Sequence, residues 1–317
     1  MIDRRRFLSA AMVAAAVPAI ARAAGAQKFT VILDWFVNPD HAPLFTAKYI
    51  GAFERAGLDV DLIAPTDPDL PPRLVAAGKA DAALSYQTQL YLLVGQGLPL
   101  RRTGTLIDKP LNTLTALKRS GVTRLEQLKG KKIGYSVAGV EQALIGTMLN
   151  HVGLSLTDVT LVNVNFNLVT SLRSNEVDAV IGTYRTYEDI QLKQEGLDPV
   201  IFLPEDYGVP PSDELILLSN TAGLANPALP KFLAALREGV AHLEQHVQPM
   251  WREFAQHHKS LDDKLDHAAW NALPRYFARD PAYLNVQRYL TYRDFMLQAG
   301  LIKKALPLAD YAVEIKS

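Results

Sequence analysis

The chain has 317 residues, 49% of them hydrophobic, so it can bury a sizeable core and, by its length, form about two domains. It contains no cysteine, which excludes disulfides, thiolate nucleophiles, iron–sulfur clusters and cysteine-based zinc sites. Its 33 basic and 33 acidic residues balance without a long run of either sign, so nothing indicates nucleic acid or an acidic membrane surface as a partner.

Residues 1–26 are typical of an export signal that is removed. Three arginines at positions 4–6 precede an apolar stretch over 7–20, and small residues then offer cleavage sites at 21–23 or 24–26. The apolar stretch is too short for a permanent membrane anchor. The motif Arg-Arg-x-Phe-Leu favours a twin-arginine signal, with a general secretory signal as the alternative. We expect a soluble exported chain with 29 basic and 32 acidic residues once 1–26 are removed.

Strands and helices are predicted to alternate in the first hundred residues. β-branched runs predict the strands, and apolar residues on one face predict the helices. In chain order we predict a strand at 29–33, a helix at 42–55, a strand at 60–63, a helix at 73–77, a strand at 82–85, a helix at 87–95 and a strand at 101–106. This order predicts an α/β fold, with a mostly parallel sheet covered by helices on both faces.

The same pattern restarts about 100 residues later. Helices are predicted at 122–128, 141–151 and 168–174, and strands at 133–135, 161–164 and 178–181. Two sequence segments correspond, AAGKADAALSYQ at 76–87 and RSNEVDAVIGTY at 173–184. Each has a helix end, a turn, Asp-Ala and a strand followed by Tyr. Two copies indicate two similar lobes rather than a solenoid.

The rest of the chain is predicted to return to the first lobe. A strand is expected at 214–219, and helices at 227–246, 249–258, 262–277 and 282–299. We therefore predict a discontinuous first lobe of residues 27–112 and 213–317, and a second lobe of residues 113–212. The two connections between the lobes, near 110–120 and 205–215, would form a hinge.

Ligands of open α/β sheets bind beyond the carboxyl ends of the strands, so the residues there are the candidate site. In the first lobe they are Asp34, Trp35, Asn38, His41, Tyr86 and Gln87. In the second lobe they are Ser136, Gly139, Glu141, Asn167, Tyr184, Tyr187 and Glu188. Aromatic faces with neutral and acidic hydrogen-bonding groups suit a flat heteroaromatic ring.

Each residue also has a structural interpretation. Trp35 and the tyrosines can belong to the core or close a sheet end, and His41 can cap the helix that begins at residue 42. The segment 136–141 can be an ordinary helix entrance, or a set of backbone N–H groups that binds an anionic or carbonyl group.

Several stretches resemble the thiamine-pyrimidine-type periplasmic solute-binding proteins, which share a fold with the fungal-type pyrimidine synthases. They are LDWFVNPDHAPLFTAKYIGAFERAGLDVDLIAPTDP, ALSYQTQL, KPLNTLTALKRSGV, LKGKKIGYSVAG, VTLVNVNFNLVTSL, EVDAVIGTY and EDYGVPPSDEL, within residues 29–220. The resemblance implies a two-lobed type II periplasmic binding protein. It would be a monomer without a cofactor that carries an aminopyrimidine or formylaminopyrimidine to an ABC permease.

The resemblance also separates receptor from enzyme. The synthase branch has a lysine that forms a Schiff base with pyridoxal phosphate and a histidine four residues later, where this chain has Ser85 and Gln89. A receptor is therefore expected, rather than an exported enzyme of pyrimidine metabolism. By resemblance, Trp35 would stack on the pyrimidine and Asn38 and Glu188 would bond its edge.

The resemblance also implies roles for other candidate residues. Tyr86 and Tyr184 would close on the ring from either lobe, with His41 nearby. The sequence of segment 136–141 differs from the Gly/Pro-rich segment that is usual in the family.

The alternative ligands are riboflavin, a sulfonate such as taurine, or nitrate. An anion would need a cation at the cleft, and Arg185 is the candidate, with a solvated side chain as the other interpretation.

Overall fold

The computed structural model describes residues 25–316, apart from the side chains of Glu141 and Gln142. The export signal predicted over 1–26 lies outside the described residues except for its last two. Within the described part, no helix combines the length and apolar character needed to cross a membrane.

The first sheet contains the strands β1 (Gln27–Ile32), β2 (Leu58–Ile63), β3 (Ala82–Ser85), β4 (Leu100–Ile107) and β10 (Leu215–Asn220), in the order β2-β1-β3-β10-β4. Its helices are α1 (Ala42–Tyr49), α2 (Ala52–Arg55), α3 (Leu70–Ala76) and α4 (Gln87–Gly95). The predicted helix over 42–55 is divided because Gly51 adopts a left-handed conformation with φ 70°.

The second sheet repeats this arrangement. Its strands are β5 (Asn112–Leu117), β6 (Lys132–Tyr135), β7 (Thr160–Asn163), β8 (Ala179–Tyr184) and β9 (Pro199–Phe202), in the order β7-β6-β8-β5-β9. Its helices are α5 (Val140–His151), α6 (Leu168–Arg173) and α7 (Glu188–Gln194). β5 and β9 were not predicted: β5 lies in the connection expected near 110–120, and no element was predicted over 199–202.

The α/β class is confirmed, but each sheet is mixed rather than mostly parallel. β1 pairs in parallel with β2 and β3, and β6 pairs in parallel with β7 and β8. β10 and β5 are antiparallel to both of their neighbours. These two strands are the ones that enter a sheet directly from the other sheet, so no helix crossover imposes a parallel direction. The lobe boundaries at 112/113 and 212/213 stay a prediction.

The carboxyl-terminal helices are α8 (Ala228–Gln245), α9 (Val247–His257), α10 (Lys264–Ala272) and α11 (Val286–Gln298). α8 packs on α1 and places Phe232 against the rings of Phe29 and Phe53, at centroid distances of 4.7 and 5.2 Å. Arg102 in β4, which is 0% exposed, donates to the carbonyl oxygens of Ala282 and Val313. These contacts tie the carboxyl-terminal part of the chain to the first sheet.

Gly239 permits the close approach of α8 to α1. A Cβ atom there would lie 2.6 Å from the Pro43 carbonyl oxygen and 2.7 Å from the Ala47 Cβ. Both obstacles are backbone or backbone-attached atoms, so the helices must separate. We expect Gly239→Ala to lower the free energy of unfolding by about 1–3 kcal/mol in urea titrations, despite the better helix propensity of alanine.

The matched control is Gly223→Ala, because a Cβ at Gly223 meets nothing within 4 Å. Its stability should stay within about 0.5 kcal/mol of the parent chain. Equal stability of the two variants would show that the α8–α1 contact tolerates separation.

Candidate functional site

A cleft with about 990 Å³ of empty space, part of it open to solvent, is lined by residues of both sheets. Its walls come from the turns that follow β1, β3, β6 and β8 and from the two connections between the sheets. These are carboxyl ends of parallel strands, as expected for a ligand site of an α/β fold.

Nine of the thirteen candidate residues line this cleft. They are Asp34, Trp35, Asn38, Tyr86, Gln87, Ser136, Tyr184, Tyr187 and Glu188. His41, Gly139 and Asn167 do not line it, and the side chain of Glu141 is not among those described. Most of the candidate residues therefore lie at the cleft, although they make up a third of its 27 lining residues, and a ligand-binding role for each of them stays a prediction.

His41 lies behind the cleft and supports it. Its Nδ1 accepts the backbone N–H of Asn38 at 3.3 Å, so Nε2 carries the proton that is donated to Asp34 Oδ1 at 3.0 Å. The hydroxyl of Tyr86 donates to the other oxygen of Asp34 at 3.0 Å. The Tyr86 hydrogen bond thus joins the ends of β1 and β3, while the His41 hydrogen bond holds Asp34 within its own turn.

Asn38 is partly occupied by its own turn. Its Oδ1 accepts the N–H of Asp40 at 2.7 Å, and its Nδ2 donates to the carbonyl oxygen of Phe36 at 3.1 Å. One amide hydrogen remains for another acceptor, so Asn38 can donate to a ligand.

Trp35 reaches across the cleft. Its ring contacts Phe166, which precedes α6, edge to face at 4.5 Å, and it packs on the apolar cluster of the second sheet that contains Val164 and Leu168. Phe36 also contacts Phe166, at 4.9 Å. The Trp35 ring thus connects a loop of the first sheet to a loop of the second.

The segment 136–141 is partly occupied by hydrogen bonds to other parts of the chain. The N–H of Ala138 donates to Asp69 Oδ1 at 3.0 Å, and the hydroxyl of Ser136 donates to the carbonyl oxygen of Asn165. Gly139, with φ 87°, faces Leu92 of α4, whose Cδ1 would lie 2.6 Å from an added Cβ. The left-handed backbone conformation is what favours glycine at this position, and the Ala138 N–H group is held by a carboxylate of the first sheet.

Acidic residues dominate the polar part of the cleft. Six carboxyl groups line it, and none of its described lining residues is Lys, Arg or His. The six are Asp34, Asp40, Glu188, Glu205, Asp213 and Glu214. Arg185 pairs with Glu205 at 2.8 Å, and Arg288 pairs with Asp213, so these two acids are neutralised from outside the cleft. Arg185 is therefore held in an ion pair, and the interpretation of a solvated side chain is wrong.

The other acids are desolvated. Burial raises the pKa of Glu188 to about 7, although its Oε2 accepts the backbone N–H of Tyr184 at 2.8 Å. Burial also raises the pKa of Glu214, whose Oε2 accepts the N–H groups of Leu111 and Asn112 at 2.6 and 3.0 Å. Because Glu214 lies on one connection and residues 111–112 on the other, this carboxylate bridges the two connections between the sheets.

Asp40 and Glu214 were not predicted as site residues. Asp40 lies in the same turn as Asn38 and His41, so its position among the residues after β1 was a usable signal. Glu214 was assigned to the start of a strand, where nothing in the sequence shows that its side chain reaches the cleft. Asn112, whose Oδ1 accepts the N–H of Gly182 at 3.2 Å, was missed because β5 itself was missed.

The polar residues behind β3 form closed pairs. The hydroxyl of Ser85 donates to Gln89 Oε1 at 2.7 Å, and both residues are buried outside the cleft lining. Gln87 lines the cleft, but its Oε1 accepts the N–H of Asp213 at 2.8 Å and its Nε2 donates to the Tyr91 hydroxyl at 3.2 Å. Gln87 is therefore mainly structural.

Comparison with known proteins identifies the family. The profile of the family described as NMT1/THI5 like matches residues 38–248. A Haemophilus influenzae protein named for thiamine biosynthesis is 46% identical over 291 residues, covering 92% of this chain and 93% of that protein. A formylaminopyrimidine-binding protein of Halalkalibacterium halodurans is 39% identical over 192 residues, covering 61% of this chain and only 58% of that protein.

A solved structure shows the same fold. The alkanesulfonate-binding protein SsuA from Xanthomonas axonopodis pv. citri, bound to MOPS, has a TM-score of 0.73 at 16% identity and covers 92% of this chain and 99% of its own. At that identity the likeness shows the periplasmic binding protein fold and nothing of the ligand. The profile match over two thirds of the sequence and the 46% identical relative show that the chain belongs to the NMT1/THI5-like family.

Proposed function

We propose that the protein is an exported solute-binding receptor that carries a thiamine pyrimidine precursor, an aminopyrimidine or its formylamino form, to an ABC importer. The observation that carries the proposal is a cleft with aromatic walls and six carboxyl groups and, among its described lining residues, no basic side chain. Such a cleft suits a flat ring that donates hydrogen bonds, and it opposes anions. The names of the two relatives support the pyrimidine class.

The geometry supports a division of labour in the cleft. Trp35 would provide a face for the ring, with Tyr86 and Tyr184 facing it from the two sheets. Glu188 has Oε2 on the Tyr184 N–H, and a carboxylate can accept further hydrogen bonds, so it would accept from the amino group or from a protonated ring nitrogen. Asn38 would donate its remaining amide hydrogen to a ring nitrogen.

Binding without turnover is the better interpretation of the synthase likeness. A Schiff base with pyridoxal phosphate requires a lysine at the cofactor, and position 85 holds a serine bonded to Gln89. The described lining of the cleft also contains no lysine. The proposal of export and of a membrane permease as partner rests on the sequence of residues 1–26 and on the fold.

Replacement of Trp35 tests the aromatic wall. Trp35→Ala should weaken aminopyrimidine binding by about 2 kcal/mol, roughly thirtyfold, because the ring loses its stacking face. Isothermal titration calorimetry measures this directly. Tyr283→Ala, at an aromatic residue 58% exposed and outside the cleft, is the control and should leave the affinity unchanged. Equal affinity of Trp35→Ala and the parent chain would remove Trp35 from the site.

Glu188 should make the ligand-free chain less stable as pH rises. Its pKa in the folded chain, about 7, exceeds the ordinary 4.5, so its stabilising contribution is complete below pH 4.5 and is lost as pH rises to about 7. Glu188→Gln should remove this part of the pH dependence, at most about 3 kcal/mol at about 1.4 kcal/mol per pKa unit. Urea unfolding at pH 5 and 8 measures it.

The control for this titration is Glu54→Gln on the exposed side of α2, which should keep the pH profile of the parent chain. If Glu188→Gln also keeps the parent profile, Glu188 is not desolvated in the ligand-free chain.

A ligand screen tests the proposed class as a whole. We expect aminopyrimidines to raise the melting temperature of the chain lacking residues 1–26, and taurine and nitrate to leave it unchanged, because unpaired carboxyl groups repel anions. Thiamine, riboflavin and pyridoxal phosphate complete the screen. Stabilisation by taurine or nitrate alone, or an absorbance change of pyridoxal phosphate typical of an imine, would contradict the proposal.

A further inference from the structure

Asp40 is a buried carboxyl group for which the structure supplies no partner. It lies in the turn after β1, is 4% exposed and lines the cleft. Its Oδ1 is fully buried and has no hydrogen-bond partner among the described residues. An unpaired buried carboxyl is costly, so most are found with a donor. This oxygen therefore lacks a hydrogen-bonding partner, which a molecule in the cleft could supply.

The groups around Asp40 do not supply that hydrogen-bonding partner. The charged neighbours that act on it are all acids: Asp34 in the same turn, and Glu188 in α7, Glu214 before β10 and Asp266 in α10. The buried hydroxyl of Tyr86 and the Nε2 of His41 both donate to Asp34, and no hydrogen bond joins the buried Tyr184 hydroxyl to Asp40. Burial, followed by these four acids, raises the pKa of Asp40 well above its ordinary value, so the empty cleft favours the protonated acid.

A metal ion does not explain the cluster. Within residues 25–316 no group of three or more His, Asp or Glu side chains has the spacing that holds a metal. The partner of Asp40 is then either a ligand or a trapped water molecule.

We propose that the Asp40 carboxyl contacts the ligand and determines its specificity by pairing with an amidine-type edge, in which an exocyclic amino group stands beside a basic ring nitrogen. This assignment rests on the proposed function and deepens it, since it names the edge of the solute that is recognised and adds a carboxyl group, beside Glu188, that recognises it. A solute without the amino group would leave Asp40 unpaired, which is the strongest basis of discrimination in a buried site.

The pairing conserves protons. The acid O–H donates to the ring nitrogen while the carbonyl oxygen of Asp40 accepts from the amino group. If the proton moves to the ring nitrogen, the carboxylate accepts both hydrogen bonds from the resulting amidinium. Either form holds one proton between Asp40 and the solute. Above the pH at which the empty cleft loses the Asp40 proton, binding must take up one proton, and affinity should fall by up to about tenfold per pH unit.

The test compares two solutes and three chains by calorimetry. The solutes are 4-amino-5-hydroxymethyl-2-methylpyrimidine and the same ring without its amino group. The parent chain should prefer the amino compound by at least about tenfold. Asp40→Leu, of similar volume but without polar atoms, should lose that preference. Asp40→Asn should keep most of it, since its amide presents the same acceptor and donor as the protonated acid.

The pH profile supplies a second readout. Calorimetry in buffers of different ionisation enthalpy, above the pH at which the empty cleft loses the Asp40 proton, should show less proton uptake for Asp40→Asn than for the parent chain. Glu188 and Glu214 also titrate, and the difference between the two chains isolates the part due to Asp40. This measurement keeps the proposal testable if Asp40→Leu does not fold.

Asp266→Asn is the matched control. It makes the same chemical change at a buried acid that acts on Asp40 but does not line the cleft, and it should preserve the preference for the amino compound. An equal preference in the parent chain and Asp40→Leu, or equal proton uptake in the parent chain and Asp40→Asn, would overturn the assignment and point to a trapped water. If the parent chain binds neither solute, the proposed function fails and this assignment fails with it.

Discussion

Desolvation of acidic side chains in one cleft is the constraint on which the site depends. Asp34, Asp40, Glu188 and Glu214 line the same space, and in the described part of the chain no Lys or Arg salt bridge reaches any of them. Hydrogen bonds offset part of the desolvation cost. His41 and a tyrosine donate to Asp34, and backbone N–H groups donate to Glu188 and Glu214. A bound solute that donates hydrogen bonds would relieve the remaining cost, which couples occupancy of the cleft to its protonation.

The same cleft is where the two sheets are held together. Trp35 and Phe166 contact each other across it, Asp69 accepts the N–H of Ala138, and Glu214 bridges the two connections. All three contacts join groups that are far apart in the chain, and opening the cleft by a hinge motion would break the first two while the third stays at the hinge. A ligand that contacts both walls would add to these contacts, so its binding free energy would also favour the closed cleft.

The sequence predicted the fold well where patterns are local, and less well where geometry is long-range. α4 was predicted with its observed bounds, and nine candidate residues reached the cleft because parallel strand ends must meet at one edge. β5 and β9 were missed because a short strand at a connection has no periodicity of its own. Glu214 was missed for a related reason: its backbone partners lie over 100 residues away, and no local rule indicates that a chain crossing would turn this side chain inward.

The likeness to a synthase and the receptor-like cleft are compatible, because little distinguishes the two uses of this fold in physical terms. A binding cleft that closes on a flat ring excludes water and positions the ring, both of which an enzyme also needs. What the synthase adds is a nucleophilic lysine, and position 85 here carries a serine that donates to Gln89 in a neutral buried pair. The pair leaves no group at this position that can attack the solute, while the acids on the opposite wall remain available to hold it. On the proposed function, recognition without reaction would follow from one local exchange, of a nucleophilic lysine for a serine held in a closed hydrogen bond.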